Sequence, residues 1–120
     1  MILSSIAGVG ASPMLAPYGA SKHAVLGLAR TAAKEAAASG VRVNAVCPGP
    51  VESEMMQRID ALFGERYPER RGGQPNAAAV PMSRYALPEE VAHMIAFLCS
   101  DASSYCSGGA YMVDGGYAAR

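Results

Sequence analysis

The sequence is poor in cysteine and has no excess of charge of either sign. Its three cysteines, Cys47, Cys99 and Cys106, are an odd number without a C-x-x-C pair, which argues against a disulfide framework and favours a reducing compartment. Ten basic and ten acidic residues cancel to a net charge of zero. A chain without a basic excess is not expected to bind nucleic acid or an anionic membrane. We therefore expect a cytoplasmic protein.

Long hydrophobic runs are also missing. No stretch approaches the roughly 20 apolar residues that cross a bilayer, so no membrane association is expected. The first residues, MILSSIAGVGASPMLA, are apolar like a secretion signal, but they lack a basic start and are interrupted by Gly8, Gly10 and Pro13. His23 and His93 have no partner at metal-ligand spacing, so the sequence predicts no metal site.

What the sequence does contain is enough apolar material for a folded interior. Of its 120 residues, 51% are hydrophobic and 17% are charged, which is typical of a globular domain rather than a disordered tail. A chain of this length forms at most one small domain.

The first half of the chain predicts a strand, a helix and a second strand. Met1–Ser4 is a short apolar run, typical of a buried strand. Tyr18–Ser39 is rich in alanine, lacks proline and has apolar residues at helical spacing, and Gly40 follows in the usual stop position. Val41–Val46 carries β-branched residues at alternate positions and predicts a strand that ends before Pro48.

The second half predicts a long loop, a helix and a last strand. Residues 51–87 have mixed composition and predict short helices within a long, functional loop. Pro88 begins a helix, because proline suits the first turn and two carboxylates follow it. Ala110–Val113 predicts a strand. The order indicates an α/β fold with a parallel sheet of about three strands and flanking helices.

Two residues four positions apart carry the clearest chemical pattern. Tyr18 and Lys22 lie on one face of the predicted helix. A phenol has a reference pKa of about 10 and is a poor base at neutral pH, and a neighbouring cation favours its ionised form. Ser5, thirteen residues before Tyr18, has a hydroxyl that could hold a substrate oxygen. For the pair alone, the simpler interpretation is a half-buried tyrosine beside a solvated lysine.

Five segments together resemble the signatures of the short-chain dehydrogenase/reductase family, in that family's order and at its spacings. They are Ser5-Ile-Ala-Gly8, Tyr18-x-x-Ser21-Lys22, Val43 to Val51, Pro88 to Ala92 and Val113 to Gly116. The resemblance covers essentially the whole chain. It implies that residues 1–120 are the C-terminal part of one Rossmann domain, a doubly wound parallel sheet. That part would hold the catalytic segment, a substrate loop at about 51–87, and the C-terminal helix and strand.

By this resemblance, the catalytic residues are Ser5, Tyr18 and Lys22. Tyr18 would exchange a proton with the substrate oxygen, and Lys22 would favour its ionised form and bind the nicotinamide ribose. Ser5 would position the carbonyl or alcohol. The implied activity is an NAD(P)-dependent interconversion of a hydroxyl and a carbonyl group on a small molecule.

The same resemblance implies NAD or NADP as cofactor, without distinguishing them. The expected cofactor contacts are Tyr18, Lys22, Pro48, Gly49, Val51 and Ser53. Pro48 and Gly49 would form a turn against the nicotinamide, and the backbone of Val51 would meet its carboxamide. Ser53 stands where the family commonly has threonine, so the hydroxyl is kept and a methyl group is lost.

Parts of the family pattern have no counterpart in these residues. No Gly-rich turn follows a strand to hold a pyrophosphate, since Gly8-x-Gly10 lies in the loop before Tyr18. The residue that separates NAD from NADP and the asparagine of the family's proton relay are also missing. The expectation is that the N-terminal dinucleotide-binding half is absent, and that the 120-residue chain alone is inactive.

Two functional hypotheses therefore stay open. In the first, the chain belongs to an oxidoreductase that forms a homo-oligomer, a dimer or a tetramer, at full length. In the second, it is a truncated, non-catalytic fragment that acts only as an assembly or interaction module. The intact Ser5, Tyr18 and Lys22 favour the first.

Three further features have simple structural interpretations. Cys47 lies in an apolar run and is expected to be a buried, inert thiol. Met55 and Met56 could line a substrate pocket or pack a loop, and both interpretations remain open. Asp114, followed by two glycines, predicts a turn rather than a catalytic carboxylate.

Overall fold

A computed structural model describes residues 1–67 and 77–119 of the chain. Residues 68–76, part of the predicted substrate loop, lie outside the described residues. The elements are β1 (Ile2–Leu3), α1 (Ala16–Ala36), β2 (Ala45–Pro48), α2 (Glu54–Arg66), α3 (Pro88–Cys99) and β3 (Ala110–Val113). Short 3₁₀ turns lie at Ile6–Gly8, Ala37–Ser39, Ala77–Ala79 and Asp101–Ser103.

The three strands form one parallel sheet with β2 in the centre. The order is β1-β2-β3, with Leu3 opposite Val46 and Val46 opposite Tyr111. The parallel α/β architecture predicted from the sequence is confirmed. The last strand and the start of α3 at Pro88 also match their predicted positions.

Side chains of β2 alternate between two helices, one on each face of the sheet. Ala45 and Cys47 pack in one cluster with Leu26 of α1. Val46 packs on the other face with Leu98 of α3. Fully burying a leucine side chain contributes roughly 2 kcal/mol to folding, so Leu26 and Leu98 are principal anchors of the two helices.

Helix α1, which carries Tyr18 and Lys22, starts earlier than the sequence predicted. It begins at Ala16 rather than Tyr18, with Pro17 inside its first turn, because the first turn of a helix does not need the N–H that proline lacks. Its last predicted residues, 37–39, form a 3₁₀ turn. Gly40 ends the segment with φ at 75°, a left-handed conformation that glycine adopts without strain.

The prediction of β2 at Val41–Val46 was wrong in its bounds, since the strand is Ala45–Pro48. Proline belongs to the strand because alternate N–H groups of a parallel strand point to opposite sides. The N–H of Ala45 and that of Gly49 both point to β3, so the position of residue 48 faces β1. That strand has already ended at Leu3, and no ladder bond is lost.

The segment before β2 is held by a side chain in addition to backbone hydrogen bonds. The buried amide of Asn44 donates from Nδ2 to the Cys106 carbonyl at 2.6 Å, and its Oδ1 accepts from the Gly109 N–H at 3.1 Å. The Asn44 side chain thus adds to the backbone bonds at this point, which the alternating pattern did not reveal.

Arg42 fastens the same segment to the C-terminal end of α3. Its guanidinium donates to the carbonyls of Leu98 at 2.9 Å and Ser100 at 3.1 Å, and to the Ser103 hydroxyl at 2.9 Å. Carbonyls at the end of a helix have no intrahelical partner and carry partial negative charge. Arg42, which is distant from α3 in the sequence, therefore provides hydrogen-bond donors for carbonyls at the C-terminal end of that helix.

Helix α2 is longer than the short helices predicted for residues 51–87. It has 13 residues, and Ser53 caps it by accepting the Met56 N–H at 3.1 Å. Within residues 1–67 and 77–119, no helix combines the length and the apolar character needed to cross a bilayer.

Candidate active site

The residues predicted for the site follow two neighbouring strand ends. Leu3, the last residue of β1, lies level with Val46 of β2. Because the strands are parallel, the segments that follow β1 and β2 leave the sheet at the same edge. Open α/β sheets bind their ligands at that edge. Ser5 follows one strand end. Gly49 and Val51 follow the other.

Ser5 forms the cap of a short turn that packs against α1. Its backbone is extended, and its Oγ accepts the Ala7 N–H at 3.1 Å. The side chain is almost buried. Within the described part of the chain, the hydroxyl proton of Ser5 has no acceptor, so it can be donated to a ligand.

Tyr18 and Lys22 lie on the same face of α1, as the sequence predicts. The Lys22 Nζ is 5.5 Å from the centroid of the Tyr18 ring and donates to the Leu3 carbonyl at 3.3 Å. The Tyr18 side chain is partly exposed, at 38%, and its hydroxyl has no hydrogen-bond partner among residues 1–67 and 77–119. The arrangement presents a phenol to a ligand with a cation beside it.

Cys47 lies beneath the turn that carries Ser5. Burial raises the pKa of the Cys47 thiol, although contacts with the Ser4 side chain and the Ser5 backbone oppose that shift. The residue has no exposed surface. Its predicted burial is confirmed, and its inertness stays a prediction.

Gly49 lies where the ends of β2 and β3 come closest. A Cβ at this position would be 3.0 Å from the Asp114 Cα, so only glycine fits without displacing the backbone. Asp114 accepts the N–H groups of Gly116 at 3.0 Å and Ala118 at 2.8 Å. Its predicted role as a turn residue is confirmed.

The backbone of Val51 presents polar groups away from its protein partner. Its neighbours pair with Ala86, since Ala86 N–H donates to Pro50 and Glu52 N–H donates to Ala86, both at 2.9 Å. The N–H and C=O of Val51 therefore point to the other side. The carbonyl accepts the Ser53 hydroxyl at 3.3 Å, and the N–H has no acceptor among the described residues. A donor next to an acceptor suits a carboxamide such as that of nicotinamide.

Ser53 serves the protein as well as any ligand. Its Oγ accepts from Met56 at the start of α2 and donates to Val51. One lone pair of the Ser53 Oγ therefore remains for a hydrogen bond from a cofactor, and the predicted cofactor contact stays a prediction. The capping role was missed, although a serine directly before Glu54 at a helix start is its usual signal.

The described residues suit the nicotinamide and ribose part of a dinucleotide, and Gly8 does not serve its phosphates. A Cβ on Gly8 would lie 2.6 Å from the Ser4 Oγ and 2.8 Å from the Lys22 carbonyl oxygen. The glycine thus packs closely against α1, a contact that the sequence did not predict.

Comparison with known proteins identifies the family. The model of a family described as enoyl-(acyl carrier protein) reductase matches residues 1–118. The short-chain dehydrogenase fogB of Aspergillus ruber is 44% identical over 115 residues, which are 95% of this chain and 40% of that protein. The chain belongs to the short-chain dehydrogenase/reductase family. The five motifs had indicated the same family.

Other members of the short-chain dehydrogenase/reductase family show how much of a full protein this chain represents. The 3-oxoacyl-[acyl-carrier-protein] reductase FabG of Thermotoga maritima is 40% identical over 95% of this chain and 43% of its own length. A crystal structure of a short-chain dehydrogenase family protein from Francisella tularensis aligns with a TM-score of 0.91 at 30% identity. It covers 99% of this chain and 51% of that one. The chain spans about two fifths of the length of the curated relatives it matches.

Two contacts in this short-chain dehydrogenase/reductase were not predicted from its sequence. The buried Tyr85 donates to both carboxylate oxygens of Asp60, at 3.0 and 3.2 Å, and so ties α2 to the segment before α3. Burial raises the pKa of Asp60, and the bond from Tyr85 opposes the shift. Arg84 and Glu90 form a bidentate pair with two distances of 2.7 Å. No local motif marks these pairs.

Several other features singled out in the sequence or found in the structure are separate from the predicted site residues. The Nδ1 of His23 is 2.9 Å from the Gly19 carbonyl, so the ring contacts the backbone of its own helix. Residues 1–67 and 77–119 contain no group of three potential metal ligands. A cavity of about 320 Å³ lies between β3 and the segment before α3, and none of the predicted catalytic residues lines it. Met55 is exposed, so both interpretations of it remain open.

Proposed function

We propose that this chain is the catalytic part of an NAD(P)-dependent oxidoreductase that interconverts a hydroxyl and a carbonyl group. The carrying observation is a partly exposed phenol with a cation 5.5 Å from its ring, and that cation bonds to the Leu3 carbonyl, two residues before Ser5. A phenol held near a cation suits proton transfer to a carbonyl oxygen.

The proposed roles follow from the contacts. NAD(P)H, held by Lys22 and by the residues that follow β2, would supply a hydride for the carbonyl carbon. Ser5 donates a hydrogen bond to the carbonyl oxygen, and Tyr18 gives that oxygen a proton, so that the product is a neutral alcohol. Lys22 stabilises the phenolate that remains and binds the ribose. In the oxidative direction, Tyr18 takes the proton back.

The cofactor contacts belong to the same proposal. Tyr18 and Lys22 would meet the ribose, while Pro48, Gly49 and Val51 would meet the nicotinamide end, with Ser53 beside them. A polyketide ketoreductase of known structure contains NADPH, and a 4-hydroxyisoleucine dehydrogenase contains NADH. We propose NAD or NADP for this chain, a cytoplasmic location, and a homo-oligomer at full length.

The test is turnover by the full chain that the gene encodes. A 3-oxoacyl thioester is a suitable first substrate, because a 3-oxoacyl-[acyl-carrier-protein] reductase is among the relatives. Small diketones provide a second class. Loss of reduced-nicotinamide absorbance with NADH or NADPH, abolished in Tyr18→Phe, is the expected result.

A matched control uses Tyr105→Phe, since Tyr105 is fully exposed and lies far along the chain from the site. Equal rates in Tyr18→Phe and Tyr105→Phe would refute the assignment. A well-folded full chain that binds neither dinucleotide would instead favour the alternative, a non-catalytic assembly module.

A further inference from the structure

Lys22 is held at both of its ends by consecutive residues of one strand end. Its ammonium donates to the Leu3 carbonyl at 3.3 Å. Its own main-chain carbonyl accepts the Ser4 hydroxyl at 3.0 Å. Ser5, the next residue, is the one expected to hold the substrate. Leu3 thus bonds to the Lys22 ammonium, Ser4 bonds to the Lys22 carbonyl, and Ser5 is expected to bind the substrate.

Ser4 connects the sheet directly to helix α1. Its N–H donates to the Val46 carbonyl of β2 at 2.8 Å, while its hydroxyl reaches Lys22. The side chain is 3% exposed, so this bond is shielded from competing water. A shift of α1 along the sheet would break it.

Gly8 makes the contact possible from the other side. Its Cα approaches so closely that an added Cβ would lie 2.6 Å from the Ser4 Oγ and 2.8 Å from the Lys22 carbonyl oxygen. Both of these atoms belong to the same hydrogen bond. The turn Ile6–Gly8, which Ser5 caps, therefore packs directly on the Ser4–Lys22 contact.

We propose that Ser4 is a positioning residue, whose hydroxyl sets the register of α1 so that Tyr18 and Lys22 face Ser5. This role rests on the proposed function for its catalytic consequence, but the contact itself can be measured without catalysis. Ser4 touches neither substrate nor cofactor in this proposal. It acts through the backbone of Lys22.

The first test compares Ser4→Ala with Ser4→Thr in the full chain. Misplacement of reacting groups by about 1 Å costs on the order of 100-fold in rate, and loss of one tether should displace α1 by less. We expect Ser4→Ala to lower kcat by about tenfold with little change in the KM of the carbonyl substrate. Ser4→Thr keeps the hydroxyl and should recover most of the rate.

A second variant tests the Ser4–Lys22 hydrogen bond by steric displacement. Gly8→Ala should reproduce the loss of kcat, because its Cβ would push the Ser4 hydroxyl away from Lys22. Gly27→Ala is the matched control in α1, since a Cβ there would have no described atom within 4 Å beyond its chain neighbours and the backbone of its own helix. It should keep the parent kcat and raise the thermal midpoint slightly, as alanine is the better helix former.

Amide hydrogen exchange separates this proposal from the proposed function. We expect Ser4→Ala and Gly8→Ala to speed exchange at residues 19–26, and Gly27→Ala not to do so, whether or not the chain turns over a substrate. Unchanged exchange in Ser4→Ala, a kcat within about twofold of the parent in an active protein, or failure of Ser4→Thr to recover would each overturn the proposal. Inactive Tyr18→Phe with fully active Ser4→Ala would refute Ser4 and leave the proposed function standing.

Discussion

The Lys22 ammonium lies 5.5 Å from the centroid of the Tyr18 ring, on the same face of α1. It donates its hydrogen bond to the Leu3 carbonyl rather than to the phenol. The cation therefore lies beside the phenol ring, while the phenol hydroxyl has no hydrogen-bond partner among the described residues. The two side chains can be tested separately.

Tyr18→Phe should abolish hydride transfer and leave cofactor binding largely intact, because the phenol moves a proton and does little of the binding. General acid catalysis contributes about 10²- to 10⁴-fold, so kcat should fall by at least that factor. Steady-state rates and cofactor titration by fluorescence measure the two effects. Retention of most of the activity would exclude Tyr18 as the acid/base.

Lys22→Ala should lower kcat and also weaken cofactor binding, because the proposed roles of the Lys22 ammonium are to stabilise the phenolate and to bind the ribose. Lys34→Ala is the matched control, since Lys34 is an exposed residue in the last turn of α1. Calorimetric titration gives the cofactor affinity. A loss of turnover at unchanged affinity would contradict the ribose contact.

Glu90 should make stability depend on pH in the acid range. Hydrogen bonds from Arg84 and from the Leu87 N–H lower the pKa of Glu90 from 4.5 to about 2. A carboxylate with a depressed folded-state pKa stabilises the protein above its unfolded pKa, and that contribution is lost as pH falls from about 4.5 toward 2. Urea unfolding across this interval should show a shallower pH dependence in Glu90→Gln. Glu89→Gln is the control in the same turn, and an equal effect of both variants would contradict the assignment.

Arg42→Ala should destabilise the fold without touching the site. Its guanidinium bonds to carbonyls at the end of α3, and hydrogen bonds of charged groups contribute about 1.5–3 kcal/mol. We expect a loss of about 2 kcal/mol in the free energy of unfolding of the full chain, measured by urea denaturation. Arg58→Ala is the control, because Arg58 is highly exposed and its ion pair with Glu54 is long, at 3.8 Å; its effect should stay below about 0.5 kcal/mol. Equal losses would show that the α3 contact has no special role.

The 120 residues expressed by themselves should self-associate or fold only in part, and should bind neither NAD nor NADP. The outer edge of β1 carries Leu3 at 54% exposure, and the outer face of α1 carries Leu28 at 63%. An exposed strand edge is a template for pairing with other chains. Light scattering and calorimetric titration test this. A monodisperse monomer that melts cooperatively and binds either dinucleotide at micromolar strength would contradict it.

What the sequence by itself determined are the features that depend on neighbours along the chain. The shared face of Tyr18 and Lys22 follows from helical spacing, Gly40 and Pro88 mark helix ends, and Asp114 closes a turn with the residues that follow it. Family motifs added the candidate roles of the site residues. Each of these needs only local backbone geometry or a pattern of adjacent residues.

Only the tertiary structure decided the contacts between distant segments. Ser4 meets Lys22 across 18 positions, Tyr85 meets Asp60 across 25, and Arg42 meets Leu98 across 56. The difference between the predicted and observed bounds of β2, Val41–Val46 and Ala45–Pro48, has the same cause, because the bounds of a strand depend on where its neighbours β1 and β3 begin and end. A hydrogen bond between remote residues forms only after the sheet has brought α1 and α3 onto its two faces. The sequence pattern therefore carries no local signal for it.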